Sequence, residues 1–234
     1  MIDIELIADG ASRLSGFRAG TDKIIDLLHQ LERLPEIDQG WTEGSIALSD
    51  GDNTFIEKVL KNQGNDVAEF DIYFLVAMAI KSKAIEEKYG ESYLLRAQYG
   101  TQQPLPTTIT FNCIVPLASL HFIHRLIEVL LEWAPMQHIG VSDMDYRFQF
   151  SPVDERRRTV GWAGWVPYRL ASDQVPEAYL VQALHHGTFL ACQEKWIPHD
   201  HASIERAQAL DLRLNSLGVL PTLPELATGN WGEK

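Results

Sequence analysis

The sequence predicts an α+β fold, a single domain in which a largely antiparallel sheet packs against several helices. Segments that alternate apolar and polar residues occur together with segments whose apolar residues recur at helical spacing. These segments do not follow the regular β-α-β order that a doubly wound parallel sheet requires. The chain also contains no internal repeat and no linker rich in glycine and serine, so we expect one domain.

The strands are predicted from alternation and from residue type. The clearest is Thr107–Val115, which is rich in β-branched and aromatic residues. Tyr93, Leu95 and Ala97 occupy alternate positions, which predicts a partner strand at residues 92–99. Further strands are expected at Ile2–Ala8, Phe70–Ile80, His138–Ser142, Thr159–Pro167 and Thr188–Cys192.

Four helices are predicted from apolar stripes and from capping residues. The first begins at Thr21, a candidate N-cap, and ends before Pro35. The second is short and covers residues 54–61. The third follows Pro116, carries a stripe that includes Ile123 and Ile127, and ends at Pro135.

The last predicted helix runs from Asp200, its N-cap, to Leu217. Gly218 follows at the position where a left-handed residue commonly ends a helix. Beyond Pro221 the sequence is expected to form a loose tail. The predicted domain is therefore residues 1–221, with residues 222–234 as a C-terminal tail.

The composition restricts the class of partner. The chain has 234 residues, of which 32 are acidic and 20 basic, and its formal charge is −12. Nucleic acid is not expected as a direct partner because phosphate binding needs clustered positive charge. A basic partner protein suits this charge better. The longest apolar stretch, residues 73–80, is too short to cross a membrane, and the acidic N-terminus does not resemble a signal peptide, so a cytoplasmic location is expected.

The sequence contains no motif of catalytic quality, and we expect no catalytic residue, no metal ligand and no cofactor. It lacks both a nucleophile elbow and a phosphate-binding loop. His121 and His124 are three residues apart on a predicted helix, but no carboxylate completes a zinc-protease motif. A small metal-dependent hydrolase built from these histidines, Asp143 and Cys192 remains an alternative.

Aromatic and acidic residues cluster in the segment that follows the predicted strand at His138–Ser142. Tyrosine and tryptophan are common in protein interfaces, and carboxylates steer a chain toward a basic partner. The candidate partner-binding residues are Asp143, Asp145, Tyr146, Asp154, Glu155 and Trp165.

The C-terminal half carries a series of structural motifs in a distinctive order. These motifs are the strand Thr107–Val115, the helix end Leu131–Pro135, the strand with Val141–Ser142, Gly161–Trp162, Gly187–Leu190, Ile197–His201 and the helix end Leu217–Pro221. In this order, over about residues 107–221, the chain resembles the immunity protein 52 family of bacterial polymorphic-toxin and type VI secretion systems.

The resemblance implies a protein without catalytic activity that binds a cognate antibacterial toxin. In this family the toxin is commonly a nuclease of the restriction-endonuclease fold, and protection is expected to come from covering its functional surface. A monomer is favoured. A homo-oligomeric regulatory module, whose aromatic segment associates with itself, remains the other alternative.

Overall fold

The N-terminal strand β1 (Asp3–Gly10) lies inside a ten-stranded sheet. The computed structural model describes residues 3–11, 17–37, 40–49, 51–62, 64, 80–82, 93–98, 107–114 and 118–232. The other strands are β2 (Trp41–Glu43), β3 (Ile46–Ala47), β4 (Ile80–Ser82), β5 (Leu94–Gln98), β6 (Thr107–Ile114), β7 (Met136–Asp143), β8 (Ala163–Val166), β9 (Leu180–Leu184) and β10 (Gly187–Ala191).

The strand order is β3-β2-β4-β5-β6-β1-β7-β8-β10-β9, and all neighbouring strands pair antiparallel. Strand β1 therefore pairs with β6 on one side and with β7 on the other, and both partners come much later in the chain. This arrangement confirms the predicted α+β class and the largely antiparallel sheet.

The described residues also form helices. They are α1 (Phe17–Leu31), α2 (Phe55–Asn62), α3 (Leu120–Trp133), α4 (His201–Ser216) and α5 (Leu223–Ala227), together with a π-helical turn at Tyr146–Phe150. Helix α3 contacts α1, β7 and β8. Ile4, Leu6 and Ala8 of β1 are buried in this core because alternate residues of a strand point to the same face. The opposite face of β1 is polar.

Several predicted elements are confirmed close to their expected bounds. Tyr93, Leu95 and Ala97 are fully buried, as their alternation predicts. The Asp200 side chain caps α4 by accepting a hydrogen bond of 2.8 Å from the Ser203 backbone N–H. Gly218 follows that helix with a φ of +69°. The predicted strand Phe70–Ile80 lies outside the described residues except for its last residue, which begins β4.

Two predicted helix starts and one strand need correction. Thr21 does not cap α1, because it lies inside the helix and its hydroxyl donates to the Arg18 carbonyl at 2.8 Å. Helix α3 begins at Leu120, where the Ser119 side chain accepts from the Phe122 backbone N–H at 3.1 Å. Strand β9 was not predicted from the sequence, since its central residues are exposed on an edge of the sheet.

The expected loose tail is wrong for residues 222–232. Helix α5 begins in a capping box, in which Thr222 and Glu225 satisfy each other's backbone N–H groups. The Leu223 backbone N–H then donates to the Arg156 carbonyl at 2.8 Å. Farther along, the Trp231 ring packs edge-on against Tyr168 with centroids 5.8 Å apart. This segment is part of the folded structure.

Candidate functional site

The outer face of β6, β1 and β7 forms a polar surface. Glu5, Ile7 and Asp9 point to this face, opposite the apolar core positions of β1. The strand register places one residue of β6 and one of β7 beside each of them. The nine residues, which we call the sheet floor, form the rows Asn112–Glu5–Ser142, Thr110–Ile7–Gly140 and Thr108–Asp9–His138.

One wall of a groove above this floor is built by residues 147–159. The Thr159 carbonyl reaches the floor because Gly140 has no side chain, and a Cβ there would lie 2.1 Å from that oxygen. The Arg158 backbone N–H donates to the Pro221 carbonyl at 2.8 Å, which ties the wall to the C-terminal segment. Floor and wall enclose an open groove of about 690 Å³, with Phe148 and Leu223 among its lining residues.

Arginines of the wall are anchored on carboxylates of the floor. Asp9 is fully buried, and Arg158 binds both of its oxygens, Nε to Oδ2 and Nη2 to Oδ1, each at 2.7 Å. The Thr108 hydroxyl donates to the same carboxylate at 3.1 Å. Glu5 is also buried and pairs with Arg147. The bidentate contact fixes the orientation of the Arg158 guanidinium, and the ion pair with Glu5 restrains that of Arg147.

His138 is buried beside this charged pair without a hydrogen-bond partner. Its Nδ1 lies 3.9 Å from Oδ2 of Asp9, too far for a hydrogen bond. Neither ring nitrogen has a partner among the described residues, and the side chain is 1% exposed. Burial, and then the charge of Arg158, lower the pKa of His138 to about 3. The groove is therefore lined by a neutral imidazole whose donor and acceptor are used by none of the described residues.

Three of the predicted partner-binding residues are buried, and that assignment is corrected. Asp143 accepts hydrogen bonds from the Tyr146 backbone N–H at 2.6 Å and from Nε1 of Trp196 at 2.7 Å. The Tyr146 hydroxyl donates to Asp211 at 2.8 Å. Nε1 of Trp165 donates to the Leu184 carbonyl at 3.0 Å. In this structure these three side chains are internal hydrogen-bonding groups.

The other three predicted residues, Asp145, Asp154 and Glu155, lie at the surface. Asp145 accepts from Nε2 of Gln149 at 3.0 Å, and its Oδ2 is 3.6 Å from Nδ1 of His199. Asp154 and Glu155 are exposed and line the groove. Their contact with a partner stays a prediction. Two exposed apolar side chains that were not predicted, Met144 and Phe148, are close to them in sequence. Phe148 is 70% exposed.

The residues of the groove were missed because their roles depend on strand pairing. One local signal was present: β1 alternates Ile4, Leu6 and Ala8 with Glu5, Ile7 and Asp9, which indicates a polar second face. The partners of those carboxylates lie far away in sequence, and no local spacing connects them.

The side chains considered for a metal site do not form one. His121 is exposed on α3, whereas the ring of His124 packs edge-on against Phe189 with centroids 4.9 Å apart. Cys192 is buried, and burial raises the pKa of its thiol to about 12. Within the described part of the chain, no group of three or more histidine, cysteine, aspartate or glutamate side chains could hold a metal ion.

The comparison of folds found a similar solved structure, whereas the comparisons of sequence found no match. The sequence matches no protein-family model and no curated protein. A solved structure, the Pseudomonas aeruginosa T6SS protein PA0821, superposes with a TM-score of 0.55 at 11% identity. The match covers 99% of this chain and 83% of the other. The two chains share a fold. None of the helices in the described residues is both long and apolar enough to cross a membrane.

Proposed function

We propose that this chain is an immunity protein that binds a cognate antibacterial toxin and neutralises it by covering the toxin's functional surface. The proposal assigns the chain no reaction of its own and places it in the cytoplasm. The observation that carries it is the fold shared, over almost the whole chain, with a protein described as belonging to type VI secretion. The sequence motifs of residues 107–221 support the same assignment independently.

The proposed contact surface, which we call the acidic segment, consists of the exposed side chains of Met144, Asp145, Phe148, Asp154 and Glu155. Met144 and Phe148 lie four residues apart and are 51% and 70% exposed, and Phe148 is the most exposed large apolar side chain in the described part of the chain. The three carboxylates follow within the same short stretch of sequence, at positions 145, 154 and 155. Apolar side chains within a charged border are the typical composition of a protein interface. This surface suits a partner that is basic and carries apolar side chains.

A nuclease has such a surface, because it must attract the phosphates of its substrate with clustered positive charge. A chain of charge −12 would approach it faster than a neutral chain, and the acidic segment would then occupy the place of the phosphates. The proposed toxin is accordingly a nuclease, and the proposed mechanism is steric and electrostatic blockage.

The test begins with the protein encoded by the reading frame adjacent to this one. Co-expression of this chain should restore growth to cells that produce the candidate toxin, and the two purified proteins should form a stable complex. Asp154→Lys combined with Glu155→Lys should slow association about tenfold at low salt, with little effect at high salt. The matched control is Asp173→Lys combined with Glu194→Lys, two exposed reversals outside the groove that change the net charge by the same amount.

Two results would refute the proposal at different levels. If the neighbouring product is toxic but neither binds nor is neutralised by this chain, the immunity function is wrong for that pair. If the complex forms, but reversal at 154 and 155 changes its association rate no more than reversal at 173 and 194 does, the toxin binds another surface.

A further inference from the structure

We propose that the groove between the sheet floor and residues 147–159 is a binding site for an oxyanion, the phosphate or carboxylate group of a small ligand. This inference goes beyond the proposed toxin-binding function, and the groove shares Phe148, Asp154 and Glu155 with the acidic segment. It rests on the unused hydrogen-bond donors of the wall arginines, on the unpartnered imidazole of His138 and on the size of the groove. At about 690 Å³, the groove has the volume of a typical small-molecule site.

The anchored arginines leave donors available. Arg158 uses Nε and Nη2 for Asp9, and among the described residues its Nη1 has no partner. Arg147 contacts Glu5 through Nη1 only, and its guanidinium carbon lies 4.6 Å from the centre of the Phe148 ring. A guanidinium that is already fixed loses little conformational freedom when it binds a ligand. Each arginine can therefore add a charge-assisted hydrogen bond to an oxyanion at a low entropic cost.

Arg156 supplies positive charge that no floor carboxylate neutralises. Its side chain is exposed, lines the groove and has no ion-pair partner in the part of the chain that the structure describes. The pairs Arg158–Asp9 and Arg147–Glu5 are each neutral overall. Arg157 also lines the groove and donates to the Leu220 carbonyl, and the carboxylates of Asp154 and Glu155 lie on the same lining. Binding would thus depend on the oriented guanidinium N–H donors, which favour an anionic group over a neutral one.

The ring nitrogens of His138, which have no partner among the described residues, support a bound ligand at the sheet floor. A buried polar group without a hydrogen bond costs free energy, so almost all such groups in folded proteins have partners. The neutral ring offers one N–H donor and one acceptor at the groove. An oxyanion can accept a hydrogen bond from the ring N–H, and a protonated one such as hydrogen phosphate can alternatively donate its O–H to the unprotonated nitrogen. A carboxylate satisfies the donor. The hydroxyl groups of Thr110 and Ser142 line the same floor.

The experiment is a titration of the full chain with inorganic phosphate in one series and citrate in another, at constant ionic strength. Long-range ¹H–¹⁵N spectra report the ring nitrogens of His138 directly. We expect a saturable change of the His138 signals in the millimolar range. A change with phosphate alone identifies a phosphoryl ligand, and a change with citrate identifies a carboxylate ligand.

Arg156→Gln should weaken the apparent affinity about tenfold, the usual effect of losing a hydrogen bond to a charged group. Arg33→Gln is the matched control, because Arg33 is equally exposed and does not line the groove. The site is excluded if neither anion produces a saturable change at His138. It is also excluded if Arg33→Gln weakens binding as much as Arg156→Gln, since the effect would then reflect net charge alone.

Discussion

A buried carboxylate in α4 should make this protein less stable as the pH rises through the weakly acidic range. Asp211 is completely buried. It accepts hydrogen bonds from the Tyr146 hydroxyl at 2.8 Å, the Val160 backbone N–H at 2.8 Å and the Gly161 backbone N–H at 3.3 Å. No cation pairs with it among the described residues. Burial outweighs these three donors and raises the pKa of Asp211 from 3.8 to about 6.

The sign and size of the effect follow from this pKa. Between pH 3.8 and about 6 the folded state keeps a proton on Asp211 that the unfolded state has lost. Stability therefore falls as the pH rises through this interval. A shift of roughly two units corresponds to about 3 kcal/mol, because one unit is worth about 1.4 kcal/mol. This contribution is present below pH 4 and is lost by about pH 7.

Asp211→Asn isolates the effect, because asparagine is neutral at every pH and nearly the same size. Urea denaturation of both proteins between pH 4 and pH 7 gives the difference in their free energies of unfolding. We expect the wild-type protein to lose about 3 kcal/mol relative to the variant over this range. Asp173→Asn, at an exposed position, should show no such change. A difference between wild type and Asp211→Asn that stays constant with pH would refute the assigned pKa.

Three further predictions concern the groove, the sheet and a buried thiol. Arg158→Gln should lower the free energy of unfolding, measured by urea denaturation, by roughly 3 kcal/mol, because it leaves buried Asp9 without its cation. A loss below about 1 kcal/mol would contradict the anchoring role. Gly187→Ala should lower thermal stability by about 2–3 kcal/mol, since a Cβ there would lie 2.2 Å from a backbone oxygen of β8. At Gly218 a Cβ would meet no atom, and only the left-handed φ opposes a side chain, so Gly218→Ala should cost about 1 kcal/mol. If the two alanine variants lose equal stability, the close contact at Gly187 is not the cause. Cys192 should not react with a disulfide reagent at pH 8 until the protein unfolds, because burial raises the pKa of its thiol to about 12. Rapid labelling of the folded protein would contradict this prediction, because it would show that the thiol is accessible.

Strands with a clear local pattern were predictable from the sequence. Strand β6 was found because β-branched and aromatic residues dominate it, and β5 because Tyr93, Leu95 and Ala97 alternate. Edge strand β9 was missed because its pattern is not that of a half-buried strand. The capping box of Thr222 and Glu225 is a local signal for α5, but a helix of five residues is too short to show apolar periodicity.

The candidate site was predicted less well, because residue type does not reveal which side of the sheet a side chain occupies. Asp143 and Tyr146 have the composition of an interface, yet the fold uses them as internal hydrogen-bonding groups. The contact between Asp9 and Arg158 joins residues from opposite parts of the chain. Such a pair becomes visible only when the register of β1 against β7 is known.

The central position of β1 also imposes an order on biosynthesis. This strand leaves the ribosome long before its two neighbours, which begin at Thr107 and Met136. Until both have been translated, its apolar side chains Ile4 and Leu6 have no completed core in which to be sheltered. Loop closure over such distances slows the final assembly of a domain and prolongs exposure of surfaces that aggregate. Nascent chains arrested before residue 143 should therefore depend on chaperones more than the finished protein does.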